Sequence, residues 1–154
     1  MSPRAIAATL AGAITLSIAA TGAVAAPAPA PRTLANPELT GFQLIQRFER
    51  NLAPTRAPQL AAFLSPAFII HRADGTQANR QQYLRNHPYY PDWQAKVYEA
   101  EYAAPVLTVQ AFTWQKSVQA VYVPALFSFA WINGGWRMTG FARFQPQGSL
   151  PAGG

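Results

Sequence analysis

Apolar residues return every three or four positions from Leu39 onward: Leu39, Phe42, Ile45, Phe48 and Leu52 form one stripe of a helix. Asn36 before Pro37 supplies its cap and a preorganised first residue, and Pro54 ends it. Gly41 weakens that helix slightly. A second, shorter helix opens at Thr55 or Pro58, buries Leu60, Phe63 and Leu64, and stops at Ser65-Pro66. Phe68-Ile69-Ile70 is then a short β-prone run that turns at Ala73-Asp74-Gly75. Asn79 caps a third helix, Arg80 to about Asn86, with Tyr83 and Leu84 as its apolar contacts.

The rest of the chain follows a different pattern. Lys96 to Ala103, Val106 to Trp114, Val118 to Ile132 and Trp136 to Phe144 are rich in Val, Tyr, Phe, Trp and Thr. Breaks fall at Ala104-Pro105, around Gln115-Lys116, and at Asn133-Gly134-Gly135, the strongest hairpin signal present. Three sequential antiparallel hairpins after three helices predict an α+β fold, with helices covering one face of the sheet. In the strand 118–132 the even set (Tyr122, Pro124, Leu126, Ser128, Ala130) and the odd set (Val121, Val123, Phe127, Phe129, Trp131) are both largely apolar. A sheet with one wet face should alternate. Both faces are therefore expected to be covered, one by the helices and the other by a second copy of the chain. The pattern leaves open which set points which way.

The first residues carry one charge, Arg4, then an Ala/Ile/Leu run that is uncharged from Ala5 to Ala26. Ala23-Val24-Ala25 is the small-x-small pattern that a signal peptidase accepts. The run is Ala-dominated and broken by Gly12 and Gly22, so it reads as a cleaved signal peptide (1–25) rather than a retained membrane anchor. An exported protein, periplasmic or extracellular, is expected, with no stable membrane insertion after cleavage. Residues 26–36 follow as an Ala/Pro-rich, mobile leader, 37–146 as the folded domain, and 147–154 as a flexible tail.

The absence of Cys in 154 residues excludes a disulfide scaffold, a thiolate zinc site and a cysteine nucleophile. The formal charge of +6 could point to nucleic acid, but the cations are spread singly and read as a solvated surface. No nucleic-acid partner is expected. Two His fall short of the three protein ligands usual for a metal, so no metal and no cofactor are expected. No serine stands in a G-x-S-x-G context. His71 is a candidate general base if Asp74, Asp92 or Glu99 orients it, and otherwise a strand-end histidine with one ring nitrogen satisfied by backbone. The loop Asn86-His87-Pro88-Tyr89-Tyr90-Pro91-Asp92-Trp93 holds three aromatic rings between stiffening prolines. Its rings either rim a pocket or plug one end of the sheet.

The order of these elements resembles the SnoaL-like branch of the nuclear-transport-factor-two-like (cystatin-like cone) superfamily. The resemblance rests on the helix pair 39–64, the string Phe68-Ile69-Ile70-His71-Arg72-Ala73-Asp74-Gly75, the third helix 79–84, and the ending Asn133-Gly134-Gly135-Trp136-Arg137-Met138-Thr139-Gly140-Phe141-Ala142-Arg143-Phe144. It implies a curved antiparallel sheet wrapped on the N-terminal helices to form a conical pocket, and pairing through the outer sheet face. Steroid-isomerase relatives place a carboxylate base where this chain has His71 or Arg72, and an acid where it has Leu126 or Ser128. That proton transfer is therefore missing. Epoxide-hydrolysing relatives use Asp-Arg-Asp, for which Arg72 and Arg143 lack partners, since Glu99 and Glu101 share one strand parity.

The expectation is an exported small-molecule-binding domain, non-catalytic or weakly catalytic, that takes an apolar or aromatic molecule and forms a homodimer. Its ligand-binding residues are expected to be His71, Tyr90, Trp93, Tyr122, Leu126 and Ser128, beside apolar surface from Phe68 and Ile70. The alternatives are an isomerase, dehydratase or hydrolase using His71 as general base, or a dimeric interaction module.

Overall fold

The computed structural model describes residues 26–115 and 119–145, with the side chains of 119–121 excepted. The expected signal peptide, the turn at Lys116 and the expected tail lie outside the described residues.

Helix α1, Pro37–Asn51, starts where Asn36 Oδ1 accepts the Leu39 N–H at 2.8 Å. Its buried face is Gly41, Leu44, Ile45 and Phe48, continued by Leu52, while Leu39 and Phe42 are exposed. The expected stripe is thus rotated toward Gly41. A Cβ at that position would stand 2.6 Å from Val109 Cγ2, so the missing side chain lets the helix sit directly on the sheet. A 3-10 turn, Pro54–Arg56, leads into α2, Ala57–Phe63. Strand β1, Leu64–His71, begins at once. Ser65-Pro66 ends the helix as expected but lies inside the strand, at an irregularity in its pairing. After β2 (Gln77–Asn79), helix α3 (Arg80–Asn86) opens on a capping box. Asn79 Oδ1 accepts from Gln82 N and Gln82 Oε1 from Asn79 N, both at 2.9 Å. Arg80 ties α3 down, donating to the carbonyls of Ala61 (2.8 Å) and Leu64 (3.3 Å).

Strands β3 (Trp93–Ala103), β4 (Val106–Gln115), β5 (Gln119–Ile132) and β6 (Gly135–Arg143) form the three expected hairpin pairings. Asn133 and Gly134, at φ 51° and 79°, make the tight turn between β5 and β6. The full sheet has six strands in the order β2-β1-β6-β5-β4-β3. The β1–β6 pairing is parallel and joins distant parts of the chain. The architecture is α+β, a mostly antiparallel curved sheet with the helices on its concave face.

Inside lie Leu107, Val109 and Ala111 of β4, Val123, Ala125, Phe127 and Phe129 of β5, and Met138 and Phe141 of β6. Phe127 and Phe129 are fully buried. The odd set of β5 therefore faces the helices, and the even set faces outward. Glutamate at 127 or 129 would bury a charge in the core rather than report on assembly.

The expected mobile leader is instead held in part. Trp131 Nε1 donates to the Ala28 carbonyl at 2.9 Å, and the Tyr102 hydroxyl donates to the Pro31 carbonyl. The rings of Trp131, Trp136 and Tyr102 pack edgewise and form the cradle for this extended segment. A proline-rich strand has little entropy to lose on docking to such rings.

Gly41→Ala would ordinarily stabilise a helix by about 1 kcal/mol. Against the buried Val109 the added methyl overpacks, costing about 1–3 kcal/mol. The expected result is a net loss of up to about 2 kcal/mol, read by urea unfolding; a gain in stability would contradict the close seating of α1.

Candidate functional site

A cavity of about 360 Å³ opens where α1 leaves the sheet. Phe48 and Leu52 from the end of α1, Ile70 of β1, Tyr83 of α3, Trp93 at the start of β3 and Phe141 of β6 form its apolar wall. The rings meet mostly edge to face: Phe48–Phe141 at 5.9 Å, Phe48–Trp93 at 6.3 Å, Trp93–Phe141 at 6.2 Å. Strand alternation puts these groups there. Phe68 and Ile70 point inward, so the chain continues with Arg72 toward the cavity; Phe141 points inward, and Arg143 follows it.

The polar part of the wall consists of Arg72, Asp74, Tyr90 and Arg143. Asp74 is already engaged: its Oδ1 accepts from Thr76 N at 2.9 Å and Thr76 Oγ1 at 2.6 Å. Those bonds hold its carboxyl below the ordinary range, which suits a turn-fixing anion and not a proton acceptor. Arg72 Nη1 donates to Thr76 Oγ1 at 3.3 Å. Arg143 is only partly exposed, and its buried Nε has no hydrogen-bond partner. Burial pulls its pKa down from the usual guanidinium value, and Tyr90 opposes that shift. Burial likewise pushes the Tyr83 phenol up, so it stays protonated.

Of the expected ligand-binding residues, Tyr90 and Trp93 line this cavity. His71, Tyr122, Leu126 and Ser128 do not: they stand on the convex face. His71 is exposed opposite Ala142. Ser128 Oγ accepts from Thr139 Oγ1 at 2.9 Å, and the Tyr122 ring packs on Trp114 at 4.9 Å. The reason is parity. With Ile70, Phe127 and Phe141 turned inward, every neighbour in sequence turns outward. Phe68 is buried against Tyr83, and Ile70 reaches the cavity wall. Of the two candidates at the isomerase base position, Arg72 faces the cavity and His71 does not, and Ala125 and Phe127, not Leu126 or Ser128, face inward on β5. The loop after α3 does both things considered for it: Pro88 and Tyr90 rim the cavity, while Trp93 plugs the core. His87 Nε2 meets the Leu52 carbonyl at 3.2 Å and its ring packs on Tyr83. Glu99 lies on the convex face, accepting from Gln110 Nε2 at 2.8 Å. Among the described residues no group of three or more His, Asp or Glu is placed to hold a metal ion.

Glu49 was not singled out by sequence pattern. It sits half-buried on α1 against Pro91, in small clefts beside the cavity loop. Burial raises its pKa to about 7, with Arg50 opposing the rise. A Glu three residues from the end of an amphipathic helix reads as solvated; only the non-local loop desolvates it.

No protein-family model and no curated protein matches the sequence. Solved structures do. An NTF2-like protein from Cytophaga hutchinsonii superposes with a TM-score of 0.61 at 8% identity, covering 72% of this chain and 99% of that one. An NTF2-like protein of unknown function from Shewanella baltica gives 0.54 at 13% identity, covering 75% and 99%. A domain of unknown function with a cystatin-like fold from Nostoc punctiforme gives 0.54 at 10%, covering 76% and 82%.

The raised Glu49 pKa fixes a sign. In the folded chain this carboxyl holds its proton up to about pH 7, whereas the ordinary value is 4.5. The folded state thus binds the extra proton across that window, and stability falls as pH rises through it. Glu49→Gln should therefore melt higher than the unmutated protein at pH 8, with the difference shrinking toward pH 5, in paired thermal melts.

Proposed function

We propose that this chain, which has the NTF2-like, cystatin-like cone fold, binds a small, largely apolar or aromatic molecule in its cavity and has little or no catalytic activity. The observation that carries the reading is the aromatic wall around about 360 Å³ of space, with its single carboxylate, Asp74, tied to Thr76. At roughly 30 Å³ per water the cavity holds the equivalent of about a dozen waters. That is the lower part of the size range of small-molecule sites. Burial there is worth about 25 cal/mol per Å² of apolar area, and the few rim groups orient what enters. A general-base enzyme built on His71 has less support, because that imidazole is on the other face of the sheet. The signal-like start of the sequence supports export, with cleavage after Ala25.

The same proposal includes a homodimer. Tyr98, Phe112, Trp114 and Tyr122 form a run of touching rings on the convex face, with centroids 4.9 to 6.4 Å apart, and Tyr122 is 56% exposed. A contiguous aromatic patch of this kind marks an interface, and a second copy is the occupant that a two-fold contact supplies.

Two measurements test these readings. Calorimetric titration with cinnamamide, an uncharged aromatic probe of about eleven heavy atoms, should saturate in the millimolar range or below. Ile70→Phe, adding ring atoms to the wall, should weaken that binding about tenfold while the protein stays folded. No saturation in the unmutated protein would overturn the binding proposal. For assembly, sedimentation at micromolar concentration should give a dimer burying about 1,200–2,000 Å² in total, and Phe112→Glu should give monomers. An unmutated monomer would remove the dimer.

A further inference from the structure

We infer that the molecule taken by this cavity carries a carboxylate, and that Arg143 binds it. The inference rests on the cavity being a ligand site and names the class of ligand.

Arg143 is the last residue of β6. It is paired with Ala125 on the concave face, two residues after the wall residue Phe141. A guanidinium is a rigid fork of donors that matches a carboxylate with two parallel bonds. Surface arginines satisfy that fork with water. Here Nε is shut off from solvent and has no partner. An atom that water cannot reach is equally closed to a ligand oxygen, so pairing with a ligand falls to the terminal Nη donors of this wall residue.

The surroundings do not supply the missing anion. Asp74 is the one carboxylate on the wall, and it accepts hydrogen bonds from Thr76 N and Thr76 Oγ1. Glu49 opens into the clefts on the α1 side of the loop, not into this cavity. Arg72 adds a second cation to the same wall. The cavity therefore presents two guanidiniums and one engaged carboxylate among apolar and aromatic side chains. A molecule with an aromatic or branched aliphatic body and one carboxylate satisfies both halves. A bare anion satisfies only one.

The test compares trans-cinnamate with cinnamamide, which have nearly the same shape and differ in charge, by calorimetric titration of the full chain with acetate as a third arm. Cinnamate should bind at least about tenfold more tightly than cinnamamide, the size of one charge-assisted hydrogen-bonded pair. Acetate should not compete at equal concentration. Arg143→Met should abolish the preference for the acid over the amide, while Arg143→Lys should keep part of it.

Equal binding of acid and amide, a preference surviving Arg143→Met, or full competition by acetate would each overturn the carboxylate assignment while leaving the ligand site standing. If neither aromatic probe binds, the site itself falls and this inference with it. The acid–amide comparison needs only the unmutated protein, so a poorly folding variant does not shield the claim.

Discussion

One short helix has to cover one long, curved sheet. The 15 residues of α1 span about 22 Å at about 1.5 Å per residue, whereas the 14 residues of β5 span about 46 Å at about 3.3 Å each. The helix can seal the middle only by sitting very close, which is what Gly41 permits against Val109. Beyond its reach the chain uses two different covers. At the turn of β5 into β6 the Ala/Pro segment lies against Trp131 and Tyr102. Near the other end of β6, Tyr83 and the loop carrying Pro88 and Tyr90 close over only part of the gap, and the cavity is what remains.

Local chemistry made much of this legible. Asn36 and Asn79 act as the caps their positions suggested, and Asn133-Gly134 makes the expected hairpin turn. Antiparallel neighbours in sequence are also cheap to infer, because a short connection leaves few other places for a strand. The parallel contact of β1 with β6 has no such local signature. It joins Ile70 to Phe141 across the chain, and only tertiary packing specifies it.

The site was less legible for a related reason. In β5 both alternating sets are apolar, so period-two reading has no polar face to anchor it. Volume carried the missing signal: the odd set holds Phe127, Phe129 and Trp131, the even set Pro124, Ser128 and Ala130. Larger rings on the concave side fill more of the core. Taking that cue would have turned Tyr122, Leu126 and Ser128 outward and, by pairing, His71 with them. It would also have turned Arg72 and Arg143 inward. Glu49 is different, because no local pattern reveals a desolvation imposed by a loop some forty residues later.

The same parity separates two kinds of surface that the sequence interleaves. On the convex side, aromatic rings share the sheet with Glu99 and Gln110, and the charge is hydrogen-bonded in plane. On the concave side, the charge is positive and stands beside apolar walls. A guanidinium differs there from a lysine in offering paired donors in one plane. Proton transfer asks for something else, a group that can lose or gain a proton near neutrality. Tyr83 stays protonated and Asp74 stays ionised. The binding proposed for this cavity needs fixed partners on its wall, whereas acid–base turnover needs a group that these two do not supply.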